Sequence, residues 1–248
     1  MDEAGSMVYL VYGVPKSGRR RIIFDLIEGG IPLSENVLYC KPEDIDYCSF
    51  DEQIENLKNV DVLSWKLKGN KITHGKISAT PEKIIFLAPS ASNPADCAEA
   101  LKTWTEHNQC QVARLITVVH CSFLMNQPKA LAWFEACIHF SDIVLLNRRE
   151  GVDNRWLRDF EAKYKKACNP ARFLLLKRGR VANPPDVLDP QARRLSLYFD
   201  ELIPIDEDEF DDMNKPEDTK PDIYIHRLEN NQRAKPIPDI KRLLNMVT

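Results

Sequence analysis

The sequence has few of the features expected of a membrane, secreted or nucleic-acid-binding protein. No stretch approaches the ~18 consecutive apolar residues of a membrane-spanning helix. Residues 1–6 include two acids and no basic residue, and the apolar run Met7–Tyr12 is too short for a signal-peptide core. The formal net charge of -3 lacks the basic excess typical of nucleic-acid binding. We therefore expect a cytoplasmic protein with no membrane or nucleic-acid partner.

Cysteine pairs of the metal-binding kind are also absent. The 7 cysteines include no C-x-x-C pair, and in a cytoplasmic protein they are expected to be reduced and mostly buried. His120–Cys121 ends a predicted strand, where neighbouring side chains point to opposite faces. Cys137 and His139 lie two apart on a predicted helix and also diverge. We expect no zinc and assign neither a metal ligand nor a catalytic residue.

Short β-branched runs alternate with amphipathic stretches over most of the chain. Ile22, Ile23, Leu26 and Ile27 share one face of a predicted helix, which Gly29-Gly30 is expected to end. The predicted strands are Val8–Tyr12, Asn36–Tyr39, Val62–Leu67, Lys83–Leu87, Val112–Val119, Ile143–Leu146 and Arg172–Leu176. Further helices are predicted at Phe50–Lys58, Asn93–Trp104, Pro128–Phe140, Asn154–Ala167 and Gln191–Phe199. This alternation predicts an α/β fold, a doubly wound, mostly parallel sheet with helices on both faces.

The composition changes near residue 200. Residues 1–199 are expected to form one domain. Pro204–Asp222 is dense in acids and poor in apolar residues, so residues 200–222 are predicted to be a disordered acidic linker that a protease cuts first. Residues 223–248 regain apolar residues at helical spacing. They are expected to dock on the domain or on a partner.

The segment Gly13-Val-Pro-Lys-Ser-Gly18 follows a predicted strand and opens a predicted helix. This is the setting of a phosphate-binding loop, whose pattern is G-x-x-x-x-G-K-[ST]. Arg19 and Arg20 stand where that pattern has lysine and Ser/Thr. Arg19 keeps the positive charge, whereas Arg20 cannot hold Mg²⁺. The residues expected to contact phosphate are Gly13, Lys16, Ser17, Gly18, Arg19 and Arg20. The alternatives are a strand–helix turn that binds no phosphate and, for Arg19–Arg21, a solvated basic cluster.

A second polar segment follows the predicted strand Ile143–Leu146. The residues Asn-Arg-Arg-Glu at 147–150 look like the N-K-x-D base-recognition motif of GTPases. Asn147 fits that motif, Arg148 replaces its lysine, and Glu150 replaces its aspartate. A glutamate reaches one methylene further but still accepts hydrogen bonds from guanine. We therefore predict base contacts from Asn147, Arg148 and Glu150.

Two more segments extend this pattern and point to a family. Lys83–Pro94 resembles a strand ending in Glu-[ST]-Ser-Gly-x-x-[DN]-Pro, and Leu115–Phe123 resembles a strand ending in Val-Asp-Ala. In order and spacing, the four segments over Val8–Leu176 resemble the CobW-type P-loop GTPases, relatives of the hydrogenase and urease nickel-insertion GTPases. The resemblance implies a P-loop GTPase fold that binds GTP or GDP.

The chain departs from that family at the residues that handle magnesium and metal. Ala88 stands where the family has an acidic residue, and His120 stands where it has an aspartate. The family's Cys-x-Cys-Cys metal motif is absent. The departures imply slow or no hydrolysis and count against magnesium as a cofactor. One alternative is a pseudo-GTPase scaffold that binds no nucleotide and holds a protein partner through its acidic tail. Another is a binder of anions or sugar phosphates.

Overall fold

The computed structural model describes residues 5–77, 80–200 and 221–244, which fold around one eight-stranded sheet. The strands are β1 Met7–Gly13, β2 Val37–Pro42, β3 Val60–Lys68, β4 Lys71–His74, β5 Lys83–Leu87, β6 Gln111–His120, β7 Ile143–Asn147 and β8 Arg172–Leu175. The helices are α1 Arg19–Gly30, α2 Ser49–Glu55, α3 Pro94–His107, α4 Cys121–Asn126, α5 Leu131–His139, α6 Asn154–Lys166, α7 Pro184–Leu188 and α8 Lys241–Leu244, and Pro128–Ala130 forms a 3₁₀ turn before α5.

The sheet is parallel except at one edge. Its strand order is β4-β3-β2-β5-β1-β6-β7-β8, and only β4 runs antiparallel to its neighbour. The central strand β1 pairs in parallel with both β5 and β6. Strands that follow β1 are added on one side of it, and strands from β6 onward on the other. The direction of winding therefore reverses beside β1, and ligands of such sheets bind at the carboxyl ends of the strands near this point.

Helices cover both faces of the sheet, as the two sides of β1 show. Val8, Leu10 and Tyr12 pack with residues of α3, α5 and α6. Tyr9 and Val11 point to the other face and pack with residues of α1 and α7. All five side chains are buried. The predicted α/β class, with a doubly wound and mostly parallel sheet, is confirmed.

The prediction of a helix over Gln191–Phe199 is wrong. The segment is irregular, with buried Arg194 and Ser196 alternating with exposed Leu195 and Leu197. Arg194 and Ser196 reach buried carboxylates elsewhere in the chain. These polar contacts hold the backbone in a conformation that its helical propensity does not favour.

The role predicted for the glycines at the end of α1 is also wrong. The helix includes Gly29 and Gly30, and its C-cap is Ile31. A Cβ atom on Gly30 would lie 2.8 Å from Leu188 Cδ1 and 2.9 Å from Pro184 Cβ. The glycine therefore allows close packing by α7, a five-residue helix that was too short for its sequence pattern to predict.

The C-terminal segment 221–244 packs against α3 and α5. Ile240 is fully buried in the core on that side of the sheet. His139, the last residue of α5, donates from Nε2 to Asp222 Oδ2 at 2.7 Å. Arg233 donates to Glu99 of α3 at 2.7 Å. Apolar burial and ion pairs together hold this segment on the domain.

Two sequence predictions concern the regions around these elements. The predicted acidic linker spans residues 200–222, of which 201–220 lie outside the described residues. Within the described ranges, no helix has both the length and the apolar character needed to cross a bilayer.

Candidate functional site

A cavity of about 750 Å³ opens where β1 and β7 end. Its walls come from the loop after β1, the segment after β2, the loop after β7 and a turn after β8. The volume lies within the ~300–1,000 Å³ typical of small-molecule sites. Six basic and three acidic side chains line it, so the net positive charge of its walls favours an anionic ligand. The basic residues are Lys16, Arg19, Arg20, Arg21, Arg148 and Arg178, and the acidic ones are Asp44, Asp46 and Glu150.

The loop between β1 and α1 needs glycine at both ends. Gly13 has φ +147°, and a Cβ there would lie 2.8 Å from Val118 O. Gly18 has φ +93°, and a Cβ there would lie 2.5 Å from Asn147 Nδ2. Lys16 also adopts a left-handed backbone, with φ 59°. This sequence of left-handed residues turns the chain sharply from the strand into the helix.

The first turn of α1 offers backbone donors to the cavity. Gly18 is its N-cap, and no side chain caps the helix. The first turn has no acidic residue. The first four N–H groups of a helix lack acceptors within the helix and carry its positive dipole end. The N-terminus of α1 can therefore hold an anion such as phosphate.

Lys16 and Ser17 face different surroundings. Lys16 is exposed at the cavity wall. Ser17 is buried, and within the described residues its Oγ has no hydrogen-bond partner. Its carbonyl oxygen accepts a hydrogen bond from Asn147 Nδ2. Lys16 is thus free to meet a ligand, whereas Ser17 fixes the loop to β7.

Arg19 turns into the protein, away from the open part of the cavity. Its Nη1 donates to Ala88 O at 2.5 Å and its Nη2 donates to Ser90 Oγ at 2.8 Å. Both acceptors follow β5, and Ala88 is the residue that stands where the resembled family has an acidic side chain. Burial lowers the pKa of Arg19 to about 10, which still leaves it charged at neutral pH. Arg19 therefore connects the loop between β1 and α1 to the loop after β5.

Arg20 is held by an acidic residue of α2. Its Nε lies 3.4 Å from Asp51 Oδ2, and both side chains are largely buried. The other oxygen of Asp51 accepts a hydrogen bond from Tyr39 Oη at 3.1 Å. A guanidinium in this position has no lone pair for Mg²⁺, so the residues present do not fit a magnesium ligand here.

The loop after β7 is fastened to the loop after β1. Asn147 is buried, and its Nδ2 donates to Ser17 O at 2.7 Å. Arg148 Nε donates to Lys16 O at 3.1 Å. Glu150 is exposed at the cavity wall. The structure therefore brings together, around one cavity, the two segments that the sequence singled out.

One wall of the cavity was not predicted from the sequence. Lys177–Arg180 forms a tight turn after β8 that brings Arg178 and Gly179 to the cavity. Asp25 of α1, almost completely buried, accepts from Val181 N at 3.1 Å and lies 2.9 Å from Arg180 Nε. The sequence pattern that could have indicated this turn is the run Lys-Arg-Gly-Arg at 177–180, but it matches no known phosphate-binding motif.

The other histidine and cysteine candidates have structural roles. His120 caps α4, and its Nδ1 accepts a hydrogen bond from Phe123 N. Burial lowers the pKa of His120, with Arg148 adding to the effect. Cys121 and Cys137 are buried, and burial raises the pKa of both thiols. Across the ranges that the structure covers, no three His, Cys, Asp or Glu residues converge as metal ligands would.

Comparison with known proteins adds little beyond these observations. No protein-family model matches the sequence, and no curated protein does. One similar solved structure is the Zn(II)-bound YjiA GTPase from E. coli, at 9% identity and a TM-score of 0.42. A Zn(II)-bound triple mutant of YjiA GTPase gives 12% identity and the same TM-score. Each alignment covers 76% of this chain and 66% of the other, just under two thirds of the solved chain.

Proposed function

We propose that the cavity binds a guanine nucleotide through its phosphates and hydrolyses it slowly or not at all. The observation that carries this proposal is the contact between the two predicted binding segments. Asn147 and Arg148 hydrogen-bond to the backbone of the loop that precedes α1. A ligand with its phosphates at α1 would therefore reach the loop after β7 within the same cavity.

The phosphates would meet two kinds of donor. The uncapped first turn of α1 supplies backbone N–H groups, and exposed Lys16 supplies a mobile positive charge. Asn147, Arg148 and Glu150 would contact the base. Asn147 Nδ2 already donates to Ser17 O, and its Oδ1 and the Glu150 carboxylate are the acceptors that would meet the guanine ring.

Slow turnover follows from the residues around the phosphates. Phosphoryl transfer in P-loop proteins uses magnesium, a charge clamp and a positioned water molecule. Arg20 is paired with Asp51 where the pattern has a magnesium-binding hydroxyl. Ala88 has no carboxylate, and His120 is occupied as a helix cap. These positions therefore lack the usual side chains for activating a water molecule at the terminal phosphate.

One observation favours a second candidate, a pseudo-GTPase scaffold that binds no nucleotide and holds a protein partner through its acidic tail. Arg19 already donates from both Nη1 and Nη2, to Ala88 O and Ser90 Oγ. In this arrangement it does not extend to a phosphate, and its hydrogen bonds hold the loop before α1 to the loop after β5 instead. The two candidates differ in whether the folded chain takes up nucleotide at all.

Calorimetric titration of the whole chain with GTP, GDP and ATP separates these candidates. We expect guanine nucleotides to bind with an affinity that changes by no more than about twofold when magnesium is removed, because Arg20 stands where the pattern has its magnesium-binding hydroxyl. The affinity should fall as salt rises, since exposed charges make the contacts. Hydrolysis should be slow with or without magnesium.

The glycines provide a matched pair of variants. In Gly18→Ala, the new methyl group would collide with Asn147 and strain the backbone, so binding should be lost. Gly75→Ala adds a methyl group where no atom lies within 4 Å, and binding should persist. No detectable binding by the folded parent chain at millimolar GTP would rule out the nucleotide proposal and favour the scaffold. Fast magnesium-dependent turnover would contradict both candidates.

A further inference from the structure

The basic residues of the cavity differ in whether they have partners. Arg19 and Arg20 are held by Ser90 and Asp51. Arg20 therefore has a carboxylate partner, and the Arg19 guanidinium is buried on neutral acceptors. The other four are not buried and form no ion pair with any carboxylate in the part of the chain that the structure describes. They are Lys16, Arg21, Arg148 and Arg178. Lys16 and Arg148 belong to the loops already described, whereas Arg21 and Arg178 extend the positive charge beyond them.

The turn that carries Arg178 has a defined shape. Arg178 and Gly179 have φ values of 52° and 69°, and Lys177 and Arg180 bridge across them. Two consecutive left-handed residues are the mark of a tight type I′ turn. Asp25 holds the end of this turn through Val181 N. Arg178 is therefore presented by a fixed turn anchored on α1.

The turn lies on the far side of Asn147 from the loop that precedes α1. Asn147 Nδ2 faces that loop and donates to Ser17 O. On the other side, a Cβ atom on Gly179 would lie 3.6 Å from Asn147 Oδ1 and 3.8 Å from Arg21 Nη1. We call the set Arg21, Arg178 and Gly179 the arginine corner. It is a second cationic part of the cavity, separated from the first by one side chain.

We propose that the arginine corner binds a second anionic group of the ligand, separate from the phosphate chain at α1. This inference rests on the proposed nucleotide binding and specifies the ligand class. The ligand is a nucleotide with phosphate at both ends of its sugar, such as guanosine 3′-phosphate 5′-diphosphate. Guanidinium groups suit this role because their paired donors match a phosphate, and neither described arginine of the corner is neutralised by a carboxylate.

The test compares two ligands with three phosphates each. GTP carries all three on the 5′ position, whereas guanosine 3′-phosphate 5′-diphosphate carries one of them on the 3′ position. We expect the second ligand to bind the whole chain about tenfold more tightly than GTP, the effect of one added charge-assisted hydrogen bond. The phosphate count is equal, but the second ligand has two terminal phosphate groups and so up to about one more negative charge. The variants below separate position from charge.

Two neighbouring variants locate the effect. Arg178→Asn removes the charge and keeps a residue that tolerates the left-handed backbone, so the preference for the 3′-phosphate should disappear. Lys177→Asn removes a charge from the same turn outside the cavity wall, and the preference should remain. Circular dichroism checks that both variants fold.

The outcomes separate this inference from the function on which it rests. Equal affinity for the two ligands, or a preference that survives in Arg178→Asn, would overturn the arginine corner while leaving nucleotide binding intact. Absence of binding by GTP, GDP and the 3′-phosphorylated ligand would overturn both.

Discussion

Charged side chains cluster at both ends of the parallel sheet. Around Asp142 at the amino end they are buried and paired, whereas several at the carboxyl ends face water without a carboxylate partner among the described residues. At the amino end of β7, Asp142 is fully buried and accepts hydrogen bonds from Leu115 N, Arg193 N and Arg194 Nη1. At the carboxyl ends, exposed residues such as Arg178 have no carboxylate partner among the described residues. Charged side chains therefore stabilise the fold at the amino end of the sheet, whereas at the carboxyl ends some of them remain available to bind a ligand.

The paired end shows the cost of burying a charge. Burial raises the pKa of Asp142, and Arg194 with the two backbone donors offsets only part of that effect. A buried ion pair adds little net stability, but removing one partner leaves the other charge without compensation. Exposed cations at the carboxyl ends, such as Arg178, avoid this cost because they remain in contact with water. The difference lets the two ends be tested by separate measurements.

The largest effect is expected for Asp142→Asn. Among the described residues, the variant leaves buried Arg194 with Asp200 as its remaining carboxylate partner, so stability should fall by about 3 kcal/mol. Urea unfolding measures the change, with exposed Asp159→Asn as the matched control. Ligand affinity should not change beyond what the loss of folded protein explains. An unchanged unfolding midpoint would show that this cluster does not hold the sheet together.

A smaller effect is expected for Arg19→Met, at the cavity end. Arg19 behaves like the residues of the paired end because its guanidinium is buried on Ala88 O and Ser90 Oγ. Methionine keeps much of the apolar bulk and removes the donors, so stability should fall by about 2 kcal/mol. Thermal and urea unfolding check this result, with exposed Arg158→Met as the control. Loss of nucleotide affinity at unchanged stability would instead place Arg19 on the phosphates.

The smallest effect is a dependence on acid at Asp222, which contacts the last residue of α5. Burial opposes ionisation of Asp222, but hydrogen bonds from His139 and Ser196 outweigh it and lower the pKa. The stabilisation is therefore present above the unfolded pKa of about 3.9 and is lost as pH falls through the lower folded value.

Asp222→Asn makes this dependence measurable. Between pH 6 and pH 3, the parent should lose more stability than Asp222→Asn, with a full difference of about 1.5 kcal/mol, the size of a hydrogen bond to a charged group, reached only below the folded pKa. Urea unfolding at each pH gives both values, and Asp159→Asn should follow the parent. If Asp222→Asn shows the same acid dependence as the parent, the contact with His139 contributes nothing to it.

The sequence allowed much of the sheet to be predicted. The strand Lys83–Leu87 is a nearly continuous apolar run, and the helix predicted from Asn93 begins there because Asn93 caps α3 and Pro94 follows it. The antiparallel edge strand β4 was missed, since its four residues carry too little alternating pattern. Strands and helix ends were predicted correctly where residues close in sequence determine them.

The candidate site was less predictable because its contacts span the chain. Gly13 and Gly18 are recognisable because a left-handed backbone favours glycine. Nothing near Arg19 in the sequence indicates that Ala88, 69 positions away, accepts its hydrogen bond. Nor does any motif indicate that Asp25 fixes the turn at Val181. The sequence shows which side chains are charged. Whether a charged side chain can contact a ligand depends on partners that are distant in the sequence.

The docking of segment 221–244 also means that the chain need not be continuous to remain assembled. Ile240 and Tyr224 are buried in the core beside α3 and α5, and Arg233 pairs with Glu99 on α3. A single cut between residues 200 and 221 would leave two fragments held by these contacts. Such a nicked protein would elute as one species in a native column and separate only in denaturant. The C-terminal segment would then act as a subunit of the fold from which it was cut.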